Sequence, residues 1–325
     1  MFIFNPKTKT TCTIPKIALC FIINYDHALY KEDIWREWIE PNKDIINIYF
    51  FYKDLKKIKS RWIYEHTIPE KNTCHTSYYH VIPAYIAILN FALKHDKSNK
   101  WFCYLTDSCC PIITPSKFRS MFQEYQNQTI MAYSNAHWNI EFHRRANLAL
   151  LSKEYHLSND PWFVLTRENA LDILNFVVNE PKMCNTICNG GLANESLFAI
   201  IFAHYKKLQN VINQPTHITD WFRMSSPTSP HLFEEGSIED VQFIEKFLSK
   251  NEFVMFIRKV HPNFPNEILR KYICDTSNAT SATSATNKLP INNANNIFHF
   301  LTGIFIGICF ISFFALINIS NLLYK

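Results

Sequence analysis

Two adjacent cations, Arg258 and Lys259, follow an apolar run that ends at Ile257. At the end of a buried strand such a pair can clamp a diphosphate, because the Arg fork donates parallel hydrogen bonds and the Lys adds a point charge. The ordinary alternative is a solvated surface turn. The spacing of the two residues is compatible with both interpretations.

A single acid, Glu195, follows the glycine-containing stretch 188–193 in the first turn of a predicted helix. A carboxylate at a helix N-terminus favours the macrodipole, and the spacing alone favours that structural role. A positioned carboxylate can instead remove a proton from a substrate hydroxyl. Asp220 and Trp221 end a later predicted strand, where a core Trp beside a surface charge pair is the ordinary alternative.

Asp107 and Ser108 end the apolar run 101–105, just before Cys109 and Cys110. Open α/β sheets place ligand groups at the carboxyl ends of their strands, so these side chains are candidates for a binding site. No second acid follows Asp107 at a spacing of two residues. The Asp-x-Asp pair that holds a metal in many nucleotide-sugar enzymes is therefore absent here.

Composition excludes several classes of protein. The net charge of +5 is mild for 325 residues, which argues against a dedicated nucleic-acid binder. No Gly-rich phosphate loop, GxSxG elbow or HExxH motif is present.

The ten cysteines include no CxxC pair, and nothing proves disulfides. Cys184 and Cys188 could share a helical face as metal ligands, but no matching His/Cys pair accompanies them, which favours half-buried thiols.

Strands alternate with helices along most of the chain, which predicts an α/β sandwich. The strands are predicted at 16–24, 45–52, 101–105, 129–133, 162–165, 216–223 and 252–257. The helices are predicted at 26–38, 79–93, 116–125, 167–178, 194–204 and 238–248. These elements form one domain over residues 13–274, which is large enough to be a catalytic domain.

The chain after residue 274 differs in composition from residues 13–274. Residues 275–297 are rich in Ser, Thr, Ala and Asn, which is typical of a flexible linker. Residues 300–317 carry no charge and are just long enough to cross a bilayer core, so we predict a transmembrane anchor at 298–320. Residues 1–15 do not resemble a secretory signal, so we expect a single-pass C-terminal anchor and a cytosolic body. A body in the Golgi or ER lumen is the alternative.

Five stretches, in order, resemble motifs of glycosyltransferase family 14, which contains core-2/I-branching β-1,6-N-acetylglucosaminyltransferases and peptide O-xylosyltransferases. Leu-Thr-Asp-Ser-Cys-Cys-Pro at 105–111 resembles the family's Leu-Ser-(Asp/Glu)-Ser-Cys-x-Pro, and Trp-Phe-Val-Leu-Thr-Arg at 162–167 resembles its Trp-Phe-x-Leu-x-Arg. Asn-Glu-Ser-Leu-Phe at 194–198 resembles its Asp-Glu-His-Tyr-Phe. Asp-Trp-Phe-Arg at 220–223 resembles its Asp-Trp-Ser-Arg, and Phe-Ile-Arg-Lys at 256–259 resembles its Phe-Ala-Arg-Lys.

The resemblance implies a GT-A-type α/β sandwich with a mixed, mainly parallel central sheet, and an inverting mechanism that needs no divalent metal or other cofactor. Glu195 would be the general base. Arg258 and Lys259 would stabilise the departing nucleoside diphosphate, and Asp107 and Ser108 would lie at the donor site. The donor would be a UDP-sugar carrying GlcNAc or xylose.

The same resemblance places Trp162, Asp220 and Trp221 near an acceptor, which would be a glycan or glycoprotein hydroxyl. The chain departs from the family pattern at Cys74-His75, where many members have Trp-Gly, and at Asn194, where they have Asp. It also differs in carrying its predicted anchor at the C-terminus. The main alternative is a catalytically degenerate fold that binds glycans at a membrane. A nucleotidyl or phosphoryl transferase is disfavoured because the metal carboxylates it needs are not found.

Overall fold

The computed structural model describes residues 14–24 and 26–275. A four-stranded sheet lies at its centre, in the order β2-β1-β3-β7. Its strands are β1 (Lys16–Ile22), β2 (Ile46–Phe51), β3 (Asn99–Thr106) and β7 (Val164–Thr166). β1 runs parallel to both β2 and β3, whereas β7 runs antiparallel to β3. This confirms the predicted mixed α/β fold with a mainly parallel central sheet.

Both faces of the central sheet are buried, which explains why β1 is a continuous apolar run. Ile17, Leu19 and Phe21 belong to one hydrophobic cluster, and Ala18 and Cys20 to the other. The first cluster is covered by α1 (Glu32–Ile39), α4 (Pro115–Tyr125), α8 (Ile238–Leu248) and α9 (Asn266–Ile273). The second is covered by α3 (Ile82–His95), α5 (Arg167–Asn179), α6 (Pro181–Cys188) and α7 (Leu197–His204).

Helices with clear capping signals begin close to their predicted positions. Thr114 caps α4 by accepting a hydrogen bond from the Lys117 N–H at 3.2 Å, with Pro115 in the first turn. Ser237 and Asp240 form a reciprocal capping box that starts α8 at its predicted residue. α3 accommodates Pro83 in its first turn, where a missing N–H costs little. Local chemistry thus sets these helix starts.

The predicted helix 26–38 begins only at Glu32. His27 and Lys31 have positive φ angles of 52° and 70°, which break a right-handed helix. The Tyr30 N–H donates to the Asp107 carbonyl at 2.9 Å, so this segment is held against the end of β3. A long-range contact therefore overrides the helical periodicity of the first six residues.

Two further sheets are smaller than the sequence predicts. The strands predicted at 216–223 and 252–257 shorten to β8 (His217–Ile218) and β9 (Phe256–Ile257). β9 lies between β8 and β4 (Cys110–Pro111) and pairs with both. The strand predicted at 129–133 shifts to β5 (Tyr133–Asn135), which pairs with β6 (Leu157–Asn159). A short helix, α2 (Arg61–Glu65), completes the elements named here.

The chain order creates a switch point at the carboxyl ends of β1 and β3. From β1 the chain passes to β2 on one side, and then crosses back through α3 to β3 on the other side. Neighbouring loops diverge at such a point, and ligands of open α/β sheets bind in the resulting crevice. Asp107 follows β3 at this position.

None of the helices formed by residues 14–24 and 26–275 is long and apolar enough to span a membrane. The predicted anchor at 298–320 lies outside the described residues. So does the predicted linker at 275–297, apart from its first residue.

Candidate active site

Arg258 is a buried cation with uncommitted hydrogen-bonding capacity. It follows β9 directly, and its N–H donates to the Ile218 carbonyl at 3.0 Å. The side chain is only 6% exposed, and its guanidinium carbon lies 3.4 Å from the centroid of the Trp162 ring. A guanidinium over an indole face gains cation–π stabilisation, most of all when desolvated. The Arg258 Nε finds no hydrogen-bond partner within the described part of the chain, so it can serve a bound anion.

Three carboxylates share the electrostatic environment of Arg258. Burial raises the pKa of Asp107 to about 6 and that of Asp160 to about 6, and the nearby Arg258 charge opposes both shifts. Burial also raises the pKa of Glu195, against the opposing charges of Arg145 and Arg258. A desolvated carboxylate with a raised pKa is a common feature of catalytic sites. The segment 159–162 links the two regions, because the Asn159 Nδ2 donates to the Asn194 carbonyl at 2.9 Å and the Trp162 ring contacts the Arg258 guanidinium. Glu195 and Arg258, separated by 63 positions, therefore belong to one site.

Glu195 lies at the end of a 3₁₀ turn, Ala193–Glu195, rather than inside the predicted helix 194–204. α7 begins two residues later, because Ser196 has non-helical dihedral angles. The Glu195 Oε2 accepts a hydrogen bond from the Arg145 Nη1 at 3.1 Å, and the side chain is 30% exposed. Glu195 thus remains accessible to a substrate while Arg145 orients one of its oxygens.

The loop before Glu195 needs glycine at one position. A Cβ on Gly190 would lie 2.3 Å from the Asn147 backbone nitrogen, so only glycine permits this approach. The close approach lets the Ala146 N–H donate to the Gly191 carbonyl at 2.9 Å. The segment that carries Arg145 and the loop that carries Glu195 are consequently held side by side.

Replacing Arg145 with Gln is expected to move the acid limb of the pH–activity profile to higher pH. Glu195 accepts a proton only when ionised, so activity rises as pH increases through its pKa. The Arg145 charge lowers that pKa, and its removal leaves burial less opposed and the pKa higher. The profile of kcat/KM against pH measures the shift. Arg144→Gln, at the exposed neighbouring position, is the control, and a limb that stays in place contradicts the assignment.

The Asp107–Ser108 turn is joined to the segment that carries Arg258 and Lys259. The Val260 N–H donates to the Ser108 carbonyl at 2.9 Å, and burial with the Arg258 charge lowers the pKa of Lys259. Asp107 is 6% exposed, and its Oδ2 has no partner among the described residues. The structure therefore brings the predicted donor-site residues together with Arg258 and Lys259.

Asp220 and Trp221 have distinct environments. Asp220 is fully buried, and its carboxylate accepts from the Phe222 and Arg223 N–H groups and from the Arg223 Nε at 2.6 Å. Burial raises its pKa, but these hydrogen bonds outweigh burial and hold the pKa below its usual value. The Asp220 side chain therefore fixes the loop 220–223 from within. Trp221 is 48% exposed and leaves its ring free for a ligand.

Two residues of the site were not predicted from the sequence. Arg145 lies in the basic run 143–145, and such a run is ordinarily a solvated surface. Asp160 stands two positions before Trp162, the first residue of the motif at 162–167. This position was the only feature of the sequence that could have indicated a role for Asp160. Trp162 was predicted to lie near the acceptor. In the structure its ring contacts the Arg258 guanidinium directly.

Cys184 and Cys188 do share a face of α6, with their sulfurs 3.9 Å apart. Within residues 14–24 and 26–275, however, no group of three or more His, Cys, Asp or Glu side chains is arranged to hold a metal ion. The two thiols accordingly lack the further ligands of a zinc site.

A buried cation, an accessible carboxylate and a switch-point crevice on an α/β sheet define a site suited to transfer chemistry on an anionic donor. A family model described as Core-2/I-Branching enzyme matches residues 47–245. The chain belongs to this family and is accordingly a glycosyltransferase. The matched range contains Glu195 and ends before Arg258. No curated protein sequence matches the chain at a significant level.

Proposed function

We propose that the protein is an inverting glycosyltransferase, independent of divalent metal, that transfers GlcNAc or xylose from a UDP-sugar. The acceptor would be a hydroxyl of a glycan or glycoprotein, as in a β-1,6-N-acetylglucosaminyltransferase. The observation that carries the proposal is that Glu195 and Arg258 share one site, because the segment 159–162 contacts both the loop that carries Glu195 and the Arg258 guanidinium. Membership of the Core-2/I-branching family supports the reaction class.

The proposed reaction is a single displacement at the anomeric carbon. Glu195 takes the proton of the acceptor hydroxyl while that oxygen forms its bond to the anomeric carbon from one face. The bond between that carbon and the diphosphate oxygen breaks on the opposite face, and its electron pair leaves with UDP. Arg258 and Lys259 stabilise the negative charge that develops there, as fixed charges do in a desolvated site. The proton on Glu195 then passes to solvent.

The environment of each cation suits this role. Arg258 is held flat on Trp162, so its remaining donors are fixed before the diphosphate arrives. Lys259 donates to the Ser229 Oγ at 3.2 Å, a neutral partner that an anion can replace. Preorganised charges cost no reorganisation during reaction, which is the basis of electrostatic catalysis.

We further propose that Trp221 supplies the acceptor surface. Its ring is half-exposed, while the buried Asp220 fixes the loop beside it. An exposed indole can pack its apolar face against a sugar ring while polar groups bind the hydroxyls. Trp162 would then act on the donor side by holding Arg258, and Asp220 by positioning Trp221.

The decisive experiment is a screen of radiolabelled UDP-sugars with the full chain in detergent and excess chelator. We expect one UDP-sugar to be consumed, its sugar to appear on a glycan acceptor, and the rate to be the same with and without chelator. Loss of activity in chelator contradicts metal independence. Glycan retention without turnover of any donor would instead support the degenerate, glycan-binding alternative.

We also propose that residues 298–320 anchor the chain in a membrane and that residues 13–274 lie in the cytosol. Asn194, in the sequence Asn-Glu-Ser, is only 9% exposed, but Asn127, in the sequence Asn-Gln-Thr, is exposed after α4. A luminal body would present Asn127 for N-glycosylation. We therefore expect an N-glycosidase to cause no gel shift of the chain expressed in eukaryotic cells.

A matched control for topology is the same chain with a secretory signal added at its N-terminus, which should shift. A glycosidase-sensitive shift of the unmodified chain would contradict the cytosolic placement and support the lumen. Asn127→Gln then shows whether the glycan is carried at this exposed turn.

A further inference from the structure

Asp160 has a carboxylate without a protein partner. In residues 14–24 and 26–275, no side chain or N–H group hydrogen-bonds or ion-pairs with its two carboxylate oxygens, although its backbone carbonyl accepts from the Asn159 Nδ2 at 2.9 Å. Asp220 and Asp240 of the same chain differ, because both are bonded to Arg223. Buried carboxylates in folded proteins normally have such partners, since desolvation of an unpaired charge is costly. The carboxylate of Asp160 is half-buried and unpaired, and it is therefore available to a ligand.

The backbone around Asp160 is fixed. Its N–H donates to the Ala132 carbonyl at 2.9 Å. The preceding residue, Asn159, donates from its Nδ2 to the Asn194 carbonyl at 2.9 Å and accepts from the Ala199 N–H at 3.2 Å. Asn159 thus ties the strand β6 to the loop that carries Glu195. Asp160 consequently holds a constant position relative to the proposed base.

Asp160 lies on the segment 159–162, whose first residue is bonded to the loop that carries Glu195 and whose last residue contacts Arg258. The charge of Arg258 lowers its pKa and the charge of Glu195 raises it, while burial is the dominant cause of its shift to about 6. Two positions further along the chain, Trp162 packs against the Arg258 guanidinium. The segment that carries Asp160 therefore joins the loop of the proposed base to the proposed diphosphate-binding cation.

In an in-line displacement, the transferred sugar lies between the base and the diphosphate. A carboxylate in that interval repels phosphate oxygens but accepts hydrogen bonds from neutral hydroxyls, and its two oxygens can accept from two neighbouring hydroxyls. Asp160 is half-buried rather than sealed, so a ligand can reach it. The transferred sugar ring is the ligand that this position and chemistry fit.

We propose that Asp160 binds a ring hydroxyl of the transferred sugar and thereby selects the donor. This assignment rests on the proposed glycosyltransferase function and deepens it. A site built to bind a substrate hydroxyl rejects an analogue that lacks it, because the site's polar group is then left unpaired. Asp160 would thus discriminate among UDP-sugars, whereas Arg258 and Lys259 would bind the part that all of them share.

The test compares the wild-type chain with Asp160→Asn and Asp160→Ala, with UDP-sugar and with UDP alone. Both variants should lose about 10- to 100-fold in kcat/KM for the preferred UDP-sugar, as expected for a hydrogen bond to a charged group. Calorimetry should show UDP binding as tight as in wild type or tighter, since Arg258 loses a competing negative charge. Asp33→Asn, at an exposed position in α1, is the matched control and should behave as wild type.

A series of deoxy UDP-sugars identifies the contact. For the wild type, removing the hydroxyl that Asp160 binds should lower kcat/KM about as much as the mutation does. For Asp160→Ala, removing the same hydroxyl should lower kcat/KM little further. Thermal unfolding should show no loss of stability, because neither variant removes a partner of a folded-state hydrogen bond. Weakening of UDP and UDP-sugar binding to the same extent would overturn the assignment and indicate an effect through Arg258.

Unchanged donor kinetics in both Asp160 variants would also overturn the assignment of Asp160 to the transferred sugar. Absence of sugar transfer by the wild-type chain with every UDP-sugar is a different outcome. It would overturn the proposed function, and with it the assignment of Asp160, whereas an active wild type with insensitive variants overturns the assignment alone.

Discussion

Glu195→Gln is expected to lower the rate of sugar transfer by about 10²- to 10⁴-fold, the usual contribution of a positioned general base. Gln has nearly the same size and can still accept the hydrogen bond from Arg145, so the loop should keep its geometry. It cannot take the proton of an acceptor hydroxyl. The measurements are kcat for transfer and the affinity for UDP, and the affinity should be close to that of the wild type.

The matched control for this substitution is Glu141→Gln, at an exposed position in the segment that leads to Arg145. It should leave transfer unchanged. Undiminished transfer by Glu195→Gln would show that another group removes the proton. A parallel loss of UDP affinity would show that Glu195 supports the fold of the donor site rather than the chemical step.

Arg258→Lys is expected to lower transfer by roughly 10²- to 10³-fold, the typical effect of removing one charge-stabilising donor, and to weaken UDP binding. The substitution preserves the positive charge, so the loss would arise from geometry. An ammonium group cannot lie flat on Trp162, and it lacks the fork that donates two parallel hydrogen bonds to a phosphate. Transfer kinetics and calorimetry with UDP measure the two effects.

Arg61→Lys serves as the control, because Arg61 is exposed, forms a surface ion pair with Glu65 and should tolerate the change. Near-UV circular dichroism should confirm that the aromatic core is intact in both variants. Wild-type affinity for UDP in Arg258→Lys would contradict the clamp, since it would mean that neither the fork nor the stacked geometry contributes to diphosphate binding.

The sequence alone determined the elements with strong local signals. The long apolar runs predicted β1, β2 and β3, because strands covered on both faces need apolar side chains in every position. The helices predicted at 116–125 and 238–248 correspond to α4 and α8, which begin at the local caps Thr114 and Ser237. Five motifs in the order found in the family also indicated Glu195, Arg258 and Lys259 as candidate site residues. Each motif by itself was compatible with an ordinary structural role.

Only the tertiary structure decided how the candidate site is composed. Arg145 pairs with Glu195 across 50 positions, and Asp160 gains its importance from Arg258, which is 98 positions away. Asp220 was predicted as an acceptor ligand, but the folded chain commits its carboxylate to Arg223 and to neighbouring N–H groups. Burial, shared charge and hydrogen-bond partners arise when distant segments pack together. Local patterns therefore predicted helices and strands, but could not predict which charged groups would be buried without a partner.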